Sequence, residues 1–482
     1  MTIRHHGSTF FLTCVLALSA CGGEPSPGGP GGSSGGAGGR GGSGAADSGN
    51  AGGSAGQGGT SGSAGTGGCS DPADLDAGAD GGAAEIPLLD RPAEDGYACT
   101  LTRTMSKLGI NPWGGSALLP ADEGAYLARI EGPSGAKIVG STLFADGTLG
   151  PAKTLHEAAQ SRSFGLVGAK AGDRFTLVWT ASSASGPPSS PASARLHVTQ
   201  VDAAGSVVTA ARELGGMATR EDQTQIVVSG TGYGVAWVQS NQTTSQQLMF
   251  ARLDENAVLS GAPVVLVDAS SALLLSSLVA VDDGYAVAYA QLREAKYQVS
   301  YLALDSEGKS YRAPVELSSN GRPGNLVKHG EEVLAAWMEK HGSFSYDDQS
   351  ASITIRVGRF DRQGNPIGCS YPLQTEVLHQ ENVDPRWFKI GNDLGLFWAQ
   401  GKIIYICAGC VPDDRIKFVI LSGANLARRS EVLELPSPTT AGGLLQPQAM
   451  GPLSSLLLVS NVTYHVSAEG ASATISCQER SR

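Results

Sequence analysis

Seven residues of this chain stand where chemistry on a polar ligand could be done: Arg162, Arg220, Asp222, Arg322, Asp384, Arg386 and Gln448. Each opens or sits early in a short strand-like segment. An arginine fork offers paired N–H donors that match a carboxylate, a phosphate or sugar hydroxyls, so arginines recurring at one end of a repeated scaffold mark a candidate anionic or carbohydrate site. Gln446 and Gln448 add amide groups. Hydrolysis or elimination on a glycan needs two carboxylates, or a Tyr, His and Arg cluster, facing one pocket. Glu221, Asp222 and Asp384 are the carboxylates on offer there, and none of the 8 histidines opens such a segment.

Sharper chemistry is missing. The stretch GPSGAKIVGST from Gly132 to Thr142 has its residues in the wrong order for a phosphate-binding loop, and there is no HExxH. Asp74, Asp76 and Asp80 lack the spacing of a calcium loop. A formal charge of -11 and a pI near 5.3 argue against nucleic acid, which needs a basic face. No cofactor and no metal are therefore expected.

The elements that position these residues repeat. Apolar runs ending in an aromatic recur as FTLVW to Trp179, YGVAW to Trp237, YAVAY to Tyr289, VLAAW to Trp337 and LGLFW to Trp398, about fifty to sixty residues apart, with weaker relatives in AYLAR and SLLLVS. A second series keeps step with the first: Asp146–Gly147, Asp202 to Gly205, Asp254 to Ala257, Asp305 to Gly308, Asp361 to Gly364 and Ser467 to Gly470. Asp bonds the backbone of a tight turn and Gly accepts the positive φ that such hairpins require. Ala257 and the SGAN at Ser422 depart from that pattern. Another short turn precedes each aromatic run, so every unit reads as four strands joined up and down, A to D, with the aromatic on B.

Seven such units with no linker between them resemble a seven-bladed β-propeller, all-β throughout. Two stacked β-sandwiches would need a mid-chain linker. The resemblance is to the architecture and not to one family: there is no WD dipeptide and no complete sialidase Asp-box. Up-and-down connections place the B to C and D to A loops at one end of the strands and the A to B and C to D turns at the other. The loops Thr180 to Ala194, Gln239 to Gln247, Met338 to Ser352 and Gln400 to Arg415 all fall on the first end, as do the arginines. In propellers generally strand A lines the central channel, so the seven residues above would ring its mouth.

Domain boundaries follow from composition. Residues 1–20 read as a signal peptide, with Arg4 before the apolar run FFLTCVLALSA, which is too short to span a bilayer. Leu18, Ser19, Ala20 and Cys21 resemble the lipobox of bacterial lipoproteins, which implies lipid on Cys21 and attachment to a membrane. Residues 21–85 form a Gly- and Ser-rich disordered tether, with a coil reach of about 35 to 40 Å for its Gly-rich part. The lipobox and tract together resemble lipoproteins of myxobacteria. Gly22 in place of Asp points to the outer membrane, and residues 86–482 to a propeller in an oxidising space. Of the cysteines, Cys407 and Cys410 read as a structural disulfide pair. Cys99 and Cys477 are expected to bond, because YACTLTRT precedes the first unit and ATISC ends the last, so ring closure brings both to one seam. The sequence thus reads as a non-catalytic cell-envelope module binding a glycan, a peptide or an envelope protein. An assembly scaffold and a propeller glycosidase or polysaccharide lyase are the alternatives.

Overall fold

Short runs of Val, Ile, Leu and aromatic residues, broken at Gly, Asp and Asn, favour strands over helices. In a computed structural model they form 28 strands, numbered β1 to β28 along the chain. The structure describes residues 96–480 apart from several connections, chiefly 107–114, 184–193, 342–351, 378–384, 401–414, 437–443, 451–455 and 464–470. Among the described residues there is no helix. The strands make seven antiparallel sheets of four, each a simple meander. The innermost strands are β2 (Ser116–Ala121), β6 (Ser161–Ala171), β10 (Thr219–Ser229), β14 (Leu273–Val281), β18 (Gly321–His329), β22 (Arg386–Ile390) and β26 (Leu444–Met450). Each touches the next, and β26 touches β2, so the sheets close into a ring. This is a seven-bladed propeller.

The seventh blade combines both ends of the chain. Its order is β26, β27 (Leu456–Thr463), β28 (Ala471–Glu479) and, outermost, β1 (Tyr97–Ser106). Cys99 and Cys477 face each other in the β1–β28 register and are disulfide-bonded, with Cα atoms 4.0 Å apart and 378 residues between them in sequence. Tyr97 anchors the start of β1 to the sixth blade. Its hydroxyl donates to Asp393 Oδ2 at 2.9 Å, and Arg429 pairs with the same carboxylate at 3.3 Å. Burial, then the bond to Asp393, pushes the Tyr97 phenol up to about 12. Cys407 and Cys410 lie outside the described residues. Cys369 is disulfide-bonded, and since Cys99 and Cys477 hold each other, its partner lies outside the described residues as well.

Blades stack through the aromatic on strand B. Trp179, Trp237, Tyr289, Trp337 and Trp398 are buried, each against the preceding blade. In the first blade Arg129 takes that place, 6% exposed, bonded to Ser141 Oγ at 3.0 Å and Glu131 at 2.6 Å. AYLAR is a weak relative of the other runs because this arginine, held by polar partners of its own blade, stands where they have an aromatic.

The turns at the other series behave as the sequence predicts. Oδ1 of Asp202, Asp305 and Asp361 accepts from the backbone N–H four residues on, at 2.7, 2.8 and 2.8 Å. Gly205, Gly308 and Gly364 sit at φ 75, 84 and 84°. Ala257 adopts φ 60° in the same turn, with Asp254 bonded alike at 2.8 Å, and at Ser422 the turn is one residue longer, with Leu426 at φ 61°. Basic side chains tie these turns to the blade before: Lys153 to Ala204 O, Arg212 to Asn256 O, Arg312 to Asn365 Oδ1 and Arg359 to Ala424 O.

Candidate functional site

The inner strands leave one edge without a strand partner, and its backbone groups must find other partners. Side chains of the neighbouring blade supply them. Gln223 Oε1 accepts from Leu275 N at 3.2 Å, Ser277 Oγ from Leu326 N at 2.9 Å, and Asn325 Oδ1 from Trp387 N, while Asn325 Nδ2 donates to Trp387 O at 2.9 Å. Ser277 and Asn325 occupy the same place in their blades, counted back from the aromatic on strand B. In the sixth blade that place holds Arg386.

Arg386 does something else. Its Nη1 donates to the carbonyl of Ser276 at 3.4 Å, on β14 of the fourth blade, so the side chain reaches past the fifth blade along the inside of the ring. The carbonyl is within reach because β14 carries a bulge: register slips between Leu275 and Ser277, leaving Ser276 as the extra residue. Bulges recur on β6 between Phe164 and Val167, on β10 between Thr219 and Thr224 and on β18 between Pro323 and Leu326, each opposite the B-strand aromatic or its neighbour. The insertion is one residue on β6, β14 and β18 and three on β10, and neither such insertions nor the caps leave a sequence signal in one chain.

Of the seven expected site residues, Arg162, Arg322 and Arg386 lie partly buried on β6, β18 and β22, towards the ends that receive the D to A loops. Arg220 and Asp222 fall within the bulge of β10, opposite the strand that carries Trp237. Gln448 lies on β26, paired with Val459. Asp384 lies outside the described residues. Arg162 and Arg322 make no hydrogen bond or ion pair with any described residue. Three of the four expected long loops do join strand ends on this side, at 183–195, 341–352 and 400–415. The fourth is corrected: β-pairing continues to Asn241 and resumes at Ser245, so Gln239 to Gln247 is a hairpin. The opposite end is not uniformly short either, since the C to D connections at 253–264, 305–315 and 360–371 are longer and folded back by bridges such as Leu253 to Leu259.

No protein-family model matches the sequence, and no curated protein matches it. Solved structures match the fold. The sialidase of Trypanosoma rangeli shares 7% identity over 78% of this chain and 60% of its own, with a TM-score of 0.43. The polysaccharide lyase Uly1 shares 8% over 76% and 90%, also at 0.43. The α-L-arabinofuranosidase Arb93A of Fusarium graminearum shares 11% over 77% and 97%, at 0.41. At such identities the likeness concerns the fold. These proteins are enzymes, however, and on that finding the expectation of a non-catalytic module is corrected.

Proposed function

We propose that this chain is a cell-envelope propeller enzyme of the glycosidase or polysaccharide-lyase class, taking a carboxylate-bearing glycan at the loop end of its inner strands. The observation that carries the proposal is the pair Arg162 and Arg322, partly buried on inner strands without a carboxylate partner among the described residues. A guanidinium withdrawn from water is stabilised by an anion that accepts two of its hydrogen bonds, and the carboxylate of an acidic sugar is such an anion. Arg220 and Arg386 extend the cationic rim, Gln448 offers an amide to sugar hydroxyls, and Glu221, Asp222 and Asp384 are the groups for proton transfer or nucleophilic attack. The protein is held at the envelope by lipid on Cys21, with residues 21–85 as the tether.

Incubation of the full chain with polygalacturonate, hyaluronate and alginate, followed by size-exclusion chromatography, tests the activity. Shortening of at least one of them, with neutral dextran untouched, is expected; no change in any acidic polymer and no binding to one overturns the proposal. For the anchor, intact mass of membrane-extracted protein is expected to show a diacylglyceryl group on Cys21, and Cys21→Ala to release the protein. An unlipidated N-terminus elsewhere contradicts it.

A further inference from the structure

We propose that Cys69 is the disulfide partner of Cys369, so that residues 70–95 form a strap closed onto the turn end of the propeller, opposite the candidate site. This goes beyond the acidic-glycan reading and does not depend on it. Cys369 is disulfide-bonded, and Cys99 and Cys477 hold each other. Cys14 falls in the apolar run read as a signal peptide and Cys21 in the lipobox, which leaves Cys69, Cys407 and Cys410.

Two corresponding C to D connections fix the place of Cys369. In the fifth blade Phe360 bridges Pro366, and Ile367 N donates to Arg359 O at 2.8 Å. In the sixth Leu421 bridges Arg428, and Arg429 N donates to Ile420 O at 2.8 Å. Counting on by two residues, Cys369 holds in its blade the place of Glu431. The N-terminal chain enters the fold beside that place. Tyr97 bridges Ser430 and donates its N–H to Arg429 O at 2.6 Å, while Gly96 O accepts from Arg480 N, whose side chain lies 4.0 Å from Glu431. The entry point and Cys369 are thus on the same end of the ring, one blade apart, and Cys369 is partly exposed there. Roughly 26 extended residues between Cys69 and Gly96 span about 85–90 Å, far more than one blade.

Cys407 and Cys410 are placed differently. Their connection leaves β23 (Asp393–Gln400) and enters β24 (Arg415–Ser422) at the loop end, the opposite end of the blade. Residues i and i+3 of a turn approach within about 7 Å, the range of a disulfide, so these two can bond each other without leaving their loop. Composition also changes at Cys69. Glycine makes up about half of residues 22–68, but among residues 70–95 only Gly78, Gly81 and Gly82 remain, and an apolar group of Ile86, Leu88 and Leu89 appears. Closing the strap takes two electrons and two protons from the thiols of Cys69 and Cys369. The acceptor is the disulfide of an exchange protein of the oxidising space, which is left as a dithiol. With this bond made and lipid on Cys21, residues 22–68 alone span from lipid to propeller, about 35–40 Å instead of about 45–50 Å for residues 22–95. The anchor is then attached at the turn end, and the loop end is left clear for a polymer.

The test is peptide mapping of the full chain, alkylated, denatured and kept unreduced. Cleavage after glutamate separates Cys69 (residues 25–85), Cys99 (95–123), Cys369 (340–376) and Cys477 (470–479), and keeps Cys407 with Cys410 (382–431). Mass spectrometry is expected to find 25–85 joined to 340–376, beside the pair of 95–123 with 470–479. A bond from 340–376 to 382–431 or to any other peptide overturns the proposal, as does an unjoined 340–376. In a second measurement, Cys69→Ser is expected to expose one new thiol to maleimide, on Cys369, with the Cys99–Cys477 bond intact; an unlabelled Cys369 in that variant overturns the strap. The mapping needs wild type alone, so a folding defect in the variant leaves the proposal falsifiable. Absence of activity on acidic polymers bears on the glycan reading and not on the strap.

Discussion

At the scale of single residues, the turn glycines answer to two demands at once. Gly308 needs φ 84°, and a Cβ there would also lie 2.4 Å from the Phe250 ring of the preceding blade. Left-handed backbone costs an L-residue about 1–2 kcal/mol and overpacking a further 1–3, so Gly308→Ala is expected to lower stability by roughly 2–4 kcal/mol in urea unfolding. A change below half a kcal/mol would show that the ring simply moves aside. A second residue-scale prediction concerns pH. His156 and His197 cluster with Trp179, with ring centroids 5.2 and 5.6 Å from it and 6.4 Å from each other. Burial lowers both pKa values below 6.5; the His156 charge lowers His197 further, and Glu213, itself paired with Arg195, partly raises it. The unfolded chain therefore binds more protons than the fold just below pH 6.5. Stability is full above that pH and declines as pH falls through it. Urea midpoints at pH 7.5 and 5.5 should differ by more in wild type than in His156→Gln/His197→Gln, and equal slopes would remove these histidines from the acid response.

At the scale of elements, the four-stranded units were legible because two independent marks recur, a buried aromatic on B in five of the seven and an Asp turn between C and D in five, and every unit but the seventh carries at least one of them in full. Where a mark is altered the element survives for a physical reason. Ala257 tolerates a positive φ because Asp254 still binds the turn backbone, and Arg129 replaces the aromatic in the first blade because Ser141 and Glu131 satisfy its guanidinium. The inter-blade caps left no such mark, since Gln223, Ser277 and Asn325 share a function but not a residue type. Asn325 is bonded to both the N–H and the carbonyl of Trp387, so Asn325→Leu strands two backbone groups and is expected to cost about 2–4 kcal/mol. Asn325→Asp, which keeps the acceptor, should recover part of it. The closing strand pair is governed by the disulfide. A loop of 378 residues is worth roughly 5 to 6 kcal/mol in the chain-entropy account, an upper figure because denatured-state structure reduces it. Cys99→Ser/Cys477→Ser is expected to melt well below wild type, with the difference abolished by reductant. Equal melting with and without reductant would show that β1 stays paired without the bond.

At the scale of the whole molecule, the ring and the parity of its connections were readable from the repeat alone, because a meander alternates its connections between two ends whatever the residues are. The site was readable only in part. Arginine forks at recurring places pointed to the loop end, while the path of Arg386 across the ring depends on a bulge that sequence does not announce. The account's central claim is that a carboxylate-bearing glycan is processed at that end. Turn-end charges supply the control, since Glu307 and Arg362 are held in exposed pairs with Lys309 and Asp283. Exposed pairs of this kind contribute about 0–1 kcal/mol. The decisive measurement is kcat/KM on an acidic polysaccharide for wild type, Arg162→Ala/Arg322→Ala and Glu307→Lys/Arg362→Glu, with Tm recorded for each. The account predicts a loss of about a hundredfold for the arginine variant, as two charge-assisted hydrogen-bonding groups are removed, with Tm within a few degrees and the turn-end variant unchanged. Full activity in the arginine variant, or its loss in the turn-end variant alone, would contradict it.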